Sequence, residues 1–230
     1  MADPNRTRFE TAVRLLAPLL DELVFVGGST AGVFISDPAA TTIRPTKDID
    51  AIVDVASYAQ YTALSDRLRA LGFMEDTSED APLCRWRNGT TIIDVLPTSE
   101  RVLGFTNRWY PAAVATARTI RIAGHNARIV TPVLFVATKL EAFHGRGAGD
   151  VVASHDLEDI VTVIDGRPEL VEEVAGAPDD VRAFIAAEIR DLLAHADFIE
   201  ALPGFLLPDR ASQARLPLLV ERLKMLTESR

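Results

Sequence analysis

The sequence predicts an α+β chain in which a β-sheet with covering helices comes first and a helical region follows. Two observations carry the prediction. Strand and hairpin signals, among them an Asn-Gly turn between β-rich runs, fall before residue 131, and from Pro132 the apolar period is helical nearly to the end. The 230 residues therefore divide into an expected sheet domain at 1–130 and a helical domain at 131–230.

Residues 5–22 set Phe9, Val13, Leu15, Leu16, Leu19 and Leu20 at helical spacing, with Pro18 as a kink or late break. The apolar run Leu23–Val26 then reads as a strand that meets Gly27-Gly28-Ser29, after which small residues begin a short helical pattern. A further strand carries Asp48-Ile49-Asp50 into Ala51-Ile52-Val53-Asp54. Tyr61, Leu64, Leu68 and Leu71 repeat the helical period, and Gly72 ends it. The acidic stretch Glu75–Pro82 reads as a loop before a hairpin made of Leu83–Arg87, the turn Asn88-Gly89, and Thr90–Leu96. Residues 98–118 admit a loop or a short helix. A second hairpin runs Arg118–Ile122, a turn at 123–126, and Ala127–Val130.

Thr131 and Pro132 then open a helix, because proline lacks the N–H that a helix start leaves unpaired anyway. This helix is expected over Pro132–His144, followed by a glycine-rich connection at 145–149 that lacks the Gly-Lys-Ser/Thr ending of a P-loop. Later helices at Leu170–Val174, Asp180–Leu193 and Leu216–Leu226 carry no chemical motif. His125 and His195 have no partners at metal-binding spacing.

Composition narrows the function classes. The net charge of −9 is unlike that of proteins that grip long stretches of nucleic acid, so it favours a small substrate, a protein, or a locally basic patch on an acidic body. One cysteine, Cys84, excludes an intrachain disulfide and a cysteine-rich zinc site. No apolar run reaches the length of a membrane span and no signal-peptide pattern opens the chain, so a cytoplasmic protein is expected.

Two stretches carry chemistry. Gly27-Gly28-Ser29 lies between a strand and a helix start, where backbone N–H groups can face an anion. Asp48 and Asp50 alternate along a strand, so both carboxylates share a face while Ile49 points into the core. Each motif alone also reads as a turn or a solvated strand face. Their order, strand, Gly-Gly-Ser, helix, Asp-Ile-Asp, strand, reads as a metal-nucleotide site, since Mg²⁺ takes one or two carboxylates plus substrate phosphates. Asp94 interrupts the apolar run Ile92–Leu96. Either the pleat turns it to solvent or it is paired or bound to metal, because a lone buried carboxylate is costly. Lys139 lies amid Val136, Ala137, Leu140 and Phe143, so its ammonium either snorkels to solvent or is aimed at an anion.

At these motifs the chain resembles the DNA polymerase β type nucleotidyltransferases, whose signature is Gly-Ser or Gly-Gly-Ser/Thr followed by Asp-x-Asp/Glu. Gly27–Ala31 together with Arg44-Pro45-Thr46-Lys47-Asp48-Ile49-Asp50 is most similar to the AbiEii/AbiGii (type IV) toxin family. Lys139-Leu140-Glu141-Ala142 and His155-Asp156-Leu157-Glu158-Asp159 resemble that family's later motifs, with His155 where lysine or arginine is usual. A second departure is the spacing of Ser29 and Asp48, which suggests an insertion around Asp37-Pro38-Ala39-Ala40 within residues 30–47.

The resemblance implies a polymerase β-type mixed sheet with helices, followed by a C-terminal helical bundle. It implies that Asp48, Asp50 and Asp94 hold Mg²⁺ or Mn²⁺, that Gly28, Ser29 and Lys139 bind the nucleoside triphosphate, and that Asp156 acts beside Lys139 in catalysis or in orienting it. Arg146 is a further candidate phosphate contact, and Asp159 is expected to pair with a neighbouring helix. The activity implied is transfer of a nucleotide from an NTP to an acceptor, RNA at a tRNA 3′ end in the resembled family, by a toxin opposed by an antitoxin protein. Transfer to a small molecule such as an antibiotic or to a protein side chain, and a non-catalytic nucleotide- or partner-binding role, are the rival readings. For an RNA acceptor, the concentration of Arg85, Arg87, Arg101, Arg108, Arg118, Arg121 and Arg128 between residues 83 and 130 is the candidate groove, against the alternative of solvated strand faces. Like charges at Asp48 and Asp50 are also expected to repel in the metal-free protein.

Overall fold

Phe9, Ala12 and Val13 of helix α1 (Arg6–Leu15), with Leu16 just beyond it, recur at the spacing of one helical face, and all four are buried. Pro18 ends the regular helix, and Ala17–Leu19 continue only as a 3₁₀ turn. The computed structural model describes residues 3–40, 43–147 and 150–228. The chain forms two units: Pro4–Thr30 with Pro45–Thr131, and Met1–Asp3 with Ala31–Arg44 and Pro132–Arg230.

The first unit holds a seven-stranded sheet of β1 (Leu23–Val26), β2 (Ile49–Val53), β3 (Met74–Glu75), β4 (Arg85–Asn88), β5 (Thr91–Pro97), β6 (Arg118–Ile122) and β7 (His125–Ile129). The spatial order is β3-β4-β5-β2-β1-β7-β6. It is mixed: β2 with β5 and β1 with β7 are parallel, and the remaining pairs are antiparallel. The fold class is thus α+β with a mixed sheet, as the sequence predicts.

Alternation along the strands decides what the sheet buries. Phe25, Ile49, Ala51, Ile93 and Val95 join Phe9, Val13 and Leu16 in one apolar core, together with Tyr61, Leu64 and Leu68 from helix α3 (Tyr58–Ala70). Ser57 caps α3 in a reciprocal pair with Gln60, an arrangement worth about 1 kcal/mol. Asp50 and Asp94 alternate with these core residues and so lie on the opposite face of the sheet.

Both hairpin turns sit differently from expectation, and for the same reason. Asn88 pairs with Thr91 and Ile122 with His125, so the loops are Gly89-Thr90 and Ala123-Gly124. Two-residue loops match the twist of the flanking strands, and they demand positive φ. Gly89 (φ 57°) supplies it in the first; Ala123 (φ 52°) and Gly124 (φ 85°) supply it in the second. Asn88 instead stays in the strand, donating from Nδ2 to the Leu71 carbonyl at 3.1 Å. Met74 and Glu75, at the edge of the expected loop, pair with β4 as a short outer strand. Residues 98–118 hold two short helices, α4 (Glu100–Leu103) and α5 (Tyr110–Ala115).

The second unit contains α2 (Ala31–Phe34), α6 (Pro132–Gly147), α7 (His155–Gly166), α8 (Leu170–Ala175), α9 (Asp179–Ala194), α10 (Ala196–Ala201), α11 (Arg210–Gln213) and α12 (Leu216–Glu228). Helix α6 begins at Pro132 as expected but runs three residues past His144, so Gly145 and Arg146 are helical rather than a connection. Thr41 and Thr42 of the expected insertion, Ala148 and Gly149 of the glycine-rich stretch, and the side chain of Arg146 lie outside the described residues.

The expected insertion is built into this unit. The Ser36 and Asp37 amides both donate to the Gly166 carbonyl at 3.0 Å, Ser36 Oγ donates to Glu169 at 2.7 Å, and Phe34 meets Phe135 edge to face. Arg215 Nη2 donates to Asp37 at 2.8 Å while its Nε reaches both oxygens of Asp165 at 2.9 Å. Asp165 is fully buried, and Arg222 donates to its backbone carbonyl. Removing one partner of a buried pair leaves the other charge uncompensated. Arg215→Met should therefore lower unfolding free energy by about 3 kcal/mol, read as an earlier urea midpoint at unchanged slope.

Candidate active site

The candidate residues fall into two groups, one in each unit. In the sheet unit, β1 ends at Val26 and the chain turns sharply through Gly27, whose φ of 73° suits glycine. A Cβ on Gly27 would collide with the Asp50 carboxylate, reaching 2.8 Å from its carbon. The turn backbone and Asp50 are therefore in close approach because this residue is glycine. Gly28–Thr30 form a 3₁₀ turn in which Ser29 is 1% exposed, its hydroxyl 3.5 Å from the Val26 carbonyl, and the Thr30 hydroxyl donates to the Gly27 carbonyl at 2.8 Å.

The carboxylates are placed by register. Val26 stands opposite Asp50, Asp50 opposite Asp94, and Asp94 opposite Arg85, a row crossing β1, β2, β5 and β4. Asp48 lies one residue before β2 begins, not within the strand as expected. The segment leading to it is fixed elsewhere: Thr46 N donates to Asn5 Oδ1 at 2.8 Å, Arg8 donates to the Thr46 carbonyl, and Thr46 Oγ1 donates to the Asp48 carbonyl.

Arg85 joins the carboxylates. Its Nε donates to Asp94 Oδ1 at 2.8 Å, and its Nη2 donates to Asp94 Oδ2 at 2.7 Å and to Asp48 Oδ2 at 2.6 Å. These hydrogen bonds with Asp94 hold the guanidinium pKa well above its usual value, against the opposing effect of burial. Asp94 is 6% exposed, so it is turned away from the apolar core yet is not solvated. Arg85 thus gives Asp48 and Asp94 a shared counter-charge, a role the sequence did not reveal. Burial and the nearby Asp94 and Asp50 carboxylates push the Cys84 thiol up to about 12, which makes it inert as a nucleophile.

A hard cation fits the donor set, since the cluster offers carboxylate oxygens and already holds one cation between Asp48 and Asp94. Among the described residues, no three acidic, histidine or cysteine side chains come together in a group that could hold a metal ion.

In the helical unit, Lys139 does not snorkel. It is 9% exposed, with Nζ 2.8 Å from Asp156 Oδ1 and 2.7 Å from Asp159 Oδ2. Asp159 also takes Arg44 Nη2 at 3.1 Å, an ion pair that sequence reasoning missed because 115 residues separate the partners. Burial opposes the lysine's charge, but Asp159 and Asp156 outweigh it and raise its pKa above the ordinary value. Helix α7 begins just before Asp156, capped by Ser154, whose side chain accepts from the Leu157 amide at 3.3 Å.

The arginines expected to form an acceptor groove are divided. Arg85 is held by the carboxylates, Arg87 Nε donates to Asp76 at 2.5 Å, and Arg128 donates to the Asp21 and Val114 carbonyls. Arg101, Arg108, Arg118 and Arg121 are exposed. Beside Arg85 lies a cavity of about 370 Å³ lined by Glu75, Asp76, Ser78, Glu79 and Leu83. No helix among the described residues is long and apolar enough to cross a membrane.

No family model and no curated protein matches the chain. Several solved structures are similar in fold, three of which follow. An antigenic nucleotidyltransferase-like protein from Paracoccidioides brasiliensis is 19% identical with a TM-score of 0.49, over 85% of this chain and 92% of that one. The antibiotic-resistance factor ANT(2'')-Ia is 13% identical with a TM-score of 0.48, over 82% and 95%. JHP933 from Helicobacter pylori is 11% identical with a TM-score of 0.48, over 99% and 94%. Every one of these scores is below 0.5.

Two outcomes test the geometry. Gly27→Ala should destabilise the protein through the disfavoured φ and the collision with Asp50, seen as a lower melting temperature that Asp50→Gly partly restores. Lys139→Met should cost about 3 kcal/mol in urea unfolding, since it removes the buried ammonium that Asp156 and Asp159 share. The folded pKa of Lys139 lies above its unfolded value, so its contribution is full at neutral pH and is lost as pH rises through the raised value.

Proposed function

We propose that the protein is a metal-dependent nucleotidyltransferase, moving a nucleotide from an NTP to an acceptor hydroxyl. The observation that carries this reading is the approach of the Gly27-Gly28-Ser29 turn to Asp50, in a sheet row where Asp50 and Asp94 are neighbours. A turn rich in backbone donors set against paired carboxylates suits a triphosphate that arrives with a hard cation.

In this reading Asp48, Asp50 and Asp94 hold Mg²⁺ or Mn²⁺, which supplies positive charge to the reacting phosphates when bound. Backbone N–H groups of Gly28 and Ser29 orient the phosphate chain. Asp94 completes the metal site or takes the acceptor's proton as the acceptor oxygen bonds to the α-phosphorus and the bond to pyrophosphate breaks. In the helical unit, Lys139, with Asp156 orienting it, is the candidate triphosphate contact that the sequence resemblance supplies. Such positioning and electrostatics account for most of the catalysis in phosphoryl chemistry.

RNA, at a tRNA 3′ end, is the acceptor suggested by the sequence resemblance, with a toxin's role and a cognate antitoxin as partner. Exposed Arg101, Arg108, Arg118 and Arg121 support it as an electrostatic footprint. A small, amine-bearing acceptor is the second reading, favoured by the acid-lined cavity beside Arg85 and by the engagement of Arg85, Arg87 and Arg128 within the fold.

Incubation with each labelled NTP, Mg²⁺, and either total RNA or a panel of polyamine compounds separates these readings. Label should enter one acceptor class and vanish on chelation. Asp50→Asn should reduce transfer by at least about 10²-fold, the scale of losing a group that organises transition-state charge. Wild-type turnover by this variant would refute the assignment. Charge reversal at Arg118 with Arg121 should depress RNA labelling alone, and labelling that ignores salt would move the acceptor to a small molecule.

A further inference from the structure

The carboxylate centre carries a cation that the chain itself supplies. Arg85 uses both oxygens of Asp94 and one of Asp48 in three charge-assisted hydrogen bonds of 2.6–2.8 Å. These are oxygens that a divalent metal also requires, and a guanidinium does not deprotonate to make room. Holding both cations on the same oxygens would set like charges a few ångströms apart. The two therefore compete for one site.

The side chain has somewhere to go. Arg85 is on the wall of the cavity bounded by Glu75, Asp76, Ser78 and Glu79, and its own side chain is 21% exposed, against 9% for that of Asp94. Glu75 is already paired with Arg69 and Asp76 with Arg87, whereas Glu79 is exposed. A guanidinium leaving the carboxylate centre thus meets another anion within the same cavity and keeps a counter-charge.

We propose that Arg85 is the resident counter-ion of the carboxylate centre, displaced into the adjoining acidic cavity when the centre takes a divalent metal. This rests on the metal-centre reading above and adds a regulation to it. Bare metal must break the three bonds of Arg85 unaided, so it binds weakly. Metal delivered on a triphosphate brings phosphate oxygens and the Gly27–Ser29 turn to the exchange, so the centre loads with metal and nucleotide together.

Mn²⁺ is the probe, counted free and bound by electron paramagnetic resonance on the full chain. Arg85→Ala should bind Mn²⁺ about ten-fold tighter or more than wild type, the scale set by losing a charge-assisted contact. Arg85→Lys, which keeps one charge but loses the fork, should fall between them. Without metal, Arg85→Ala should melt below wild type, and Mn²⁺ should raise its melting temperature more than it raises that of wild type. In wild-type protein with ¹⁵N-labelled arginine, the Arg85 Nε–H signal, identified by its loss in Arg85→Lys, should move on addition of Mg²⁺ with a non-hydrolysable NTP. This measurement needs no destabilised variant.

Equal Mn²⁺ affinity in wild type and Arg85→Ala, or an Arg85 signal that does not move, would overturn the displacement while leaving metal-dependent transfer intact. Tight Mn²⁺ in Arg85→Ala that survives a second change, Asp50→Asn, would place the metal elsewhere and overturn it as well. No Mn²⁺ bound by any variant, with or without nucleotide, would overturn the metal-centre reading itself.

Discussion

A carboxylate taken out of water in a β-sheet has to meet a cation, and in this protein Arg85 meets Asp94 and Asp48 together. The pairing follows from strand order. Because β4 lies next to β5 in antiparallel register and β5 next to β2 in parallel register, Arg85, Asp94 and Asp50 fall in one row on the face away from the apolar core. The same alternation sends Ile49, Ala51, Ile93 and Val95 into that core. Slipping either register by one residue would bury the charges and expose the aliphatics, so the pattern that stabilises the sheet also assembles the charged row.

The helical unit solves the same problem twice. Lys139 is enclosed by Asp156 and Asp159, with Arg44 completing the cluster, and Asp165 is enclosed by Arg215, which also holds Asp37. Such pairs add little net stability compared with apolar packing, because desolvation consumes much of the attraction. Their effect is to specify one arrangement: from the stretch expected to be an insertion, Arg44 pairs with Asp159 of α7, and Asp37 pairs with Arg215, the residue just before α12. That stretch is part of the packing of the unit and not a loose addition.

These enclosed charges bear on chemistry. A lysine held between two carboxylates stays protonated through the neutral range, and an arginine held between two carboxylates keeps their oxygens aimed at a common point. Both arrangements hold charges in fixed positions, the condition under which such charges are most effective. The cavity beside Arg85 is acid-lined, so its charge opposes phosphates, whereas the exposed arginines of β6 would attract them.

Local rules made much of the fold legible. Apolar spacing located α1, α3, α6, α9 and α12, Pro132 marked a helix start, and alternation with glycine turns located both hairpins. Turn limits were misjudged by one or two residues because the dipeptide Asn-Gly does not say whether Asn or Gly begins the loop, whereas strand register does. Short helices such as α10 and α11 carry too few residues to show a period. Asp48, Asp50, Gly28 and Ser29 were proposed as site residues from motif order, and Asp94, Lys139 and Asp156 from the family resemblance. What no local pattern contained was the partner of each charge: Arg85 for Asp94 and Asp48, Arg44 for Asp159, Arg215 for Asp165. The sequence by itself determined which residues carry charge and which segments are strand or helix, since both depend on near neighbours. Only the tertiary structure decided which charges meet, because Coulomb pairing depends on distance in space, and strand order and helix packing set that distance across separations of up to 178 residues.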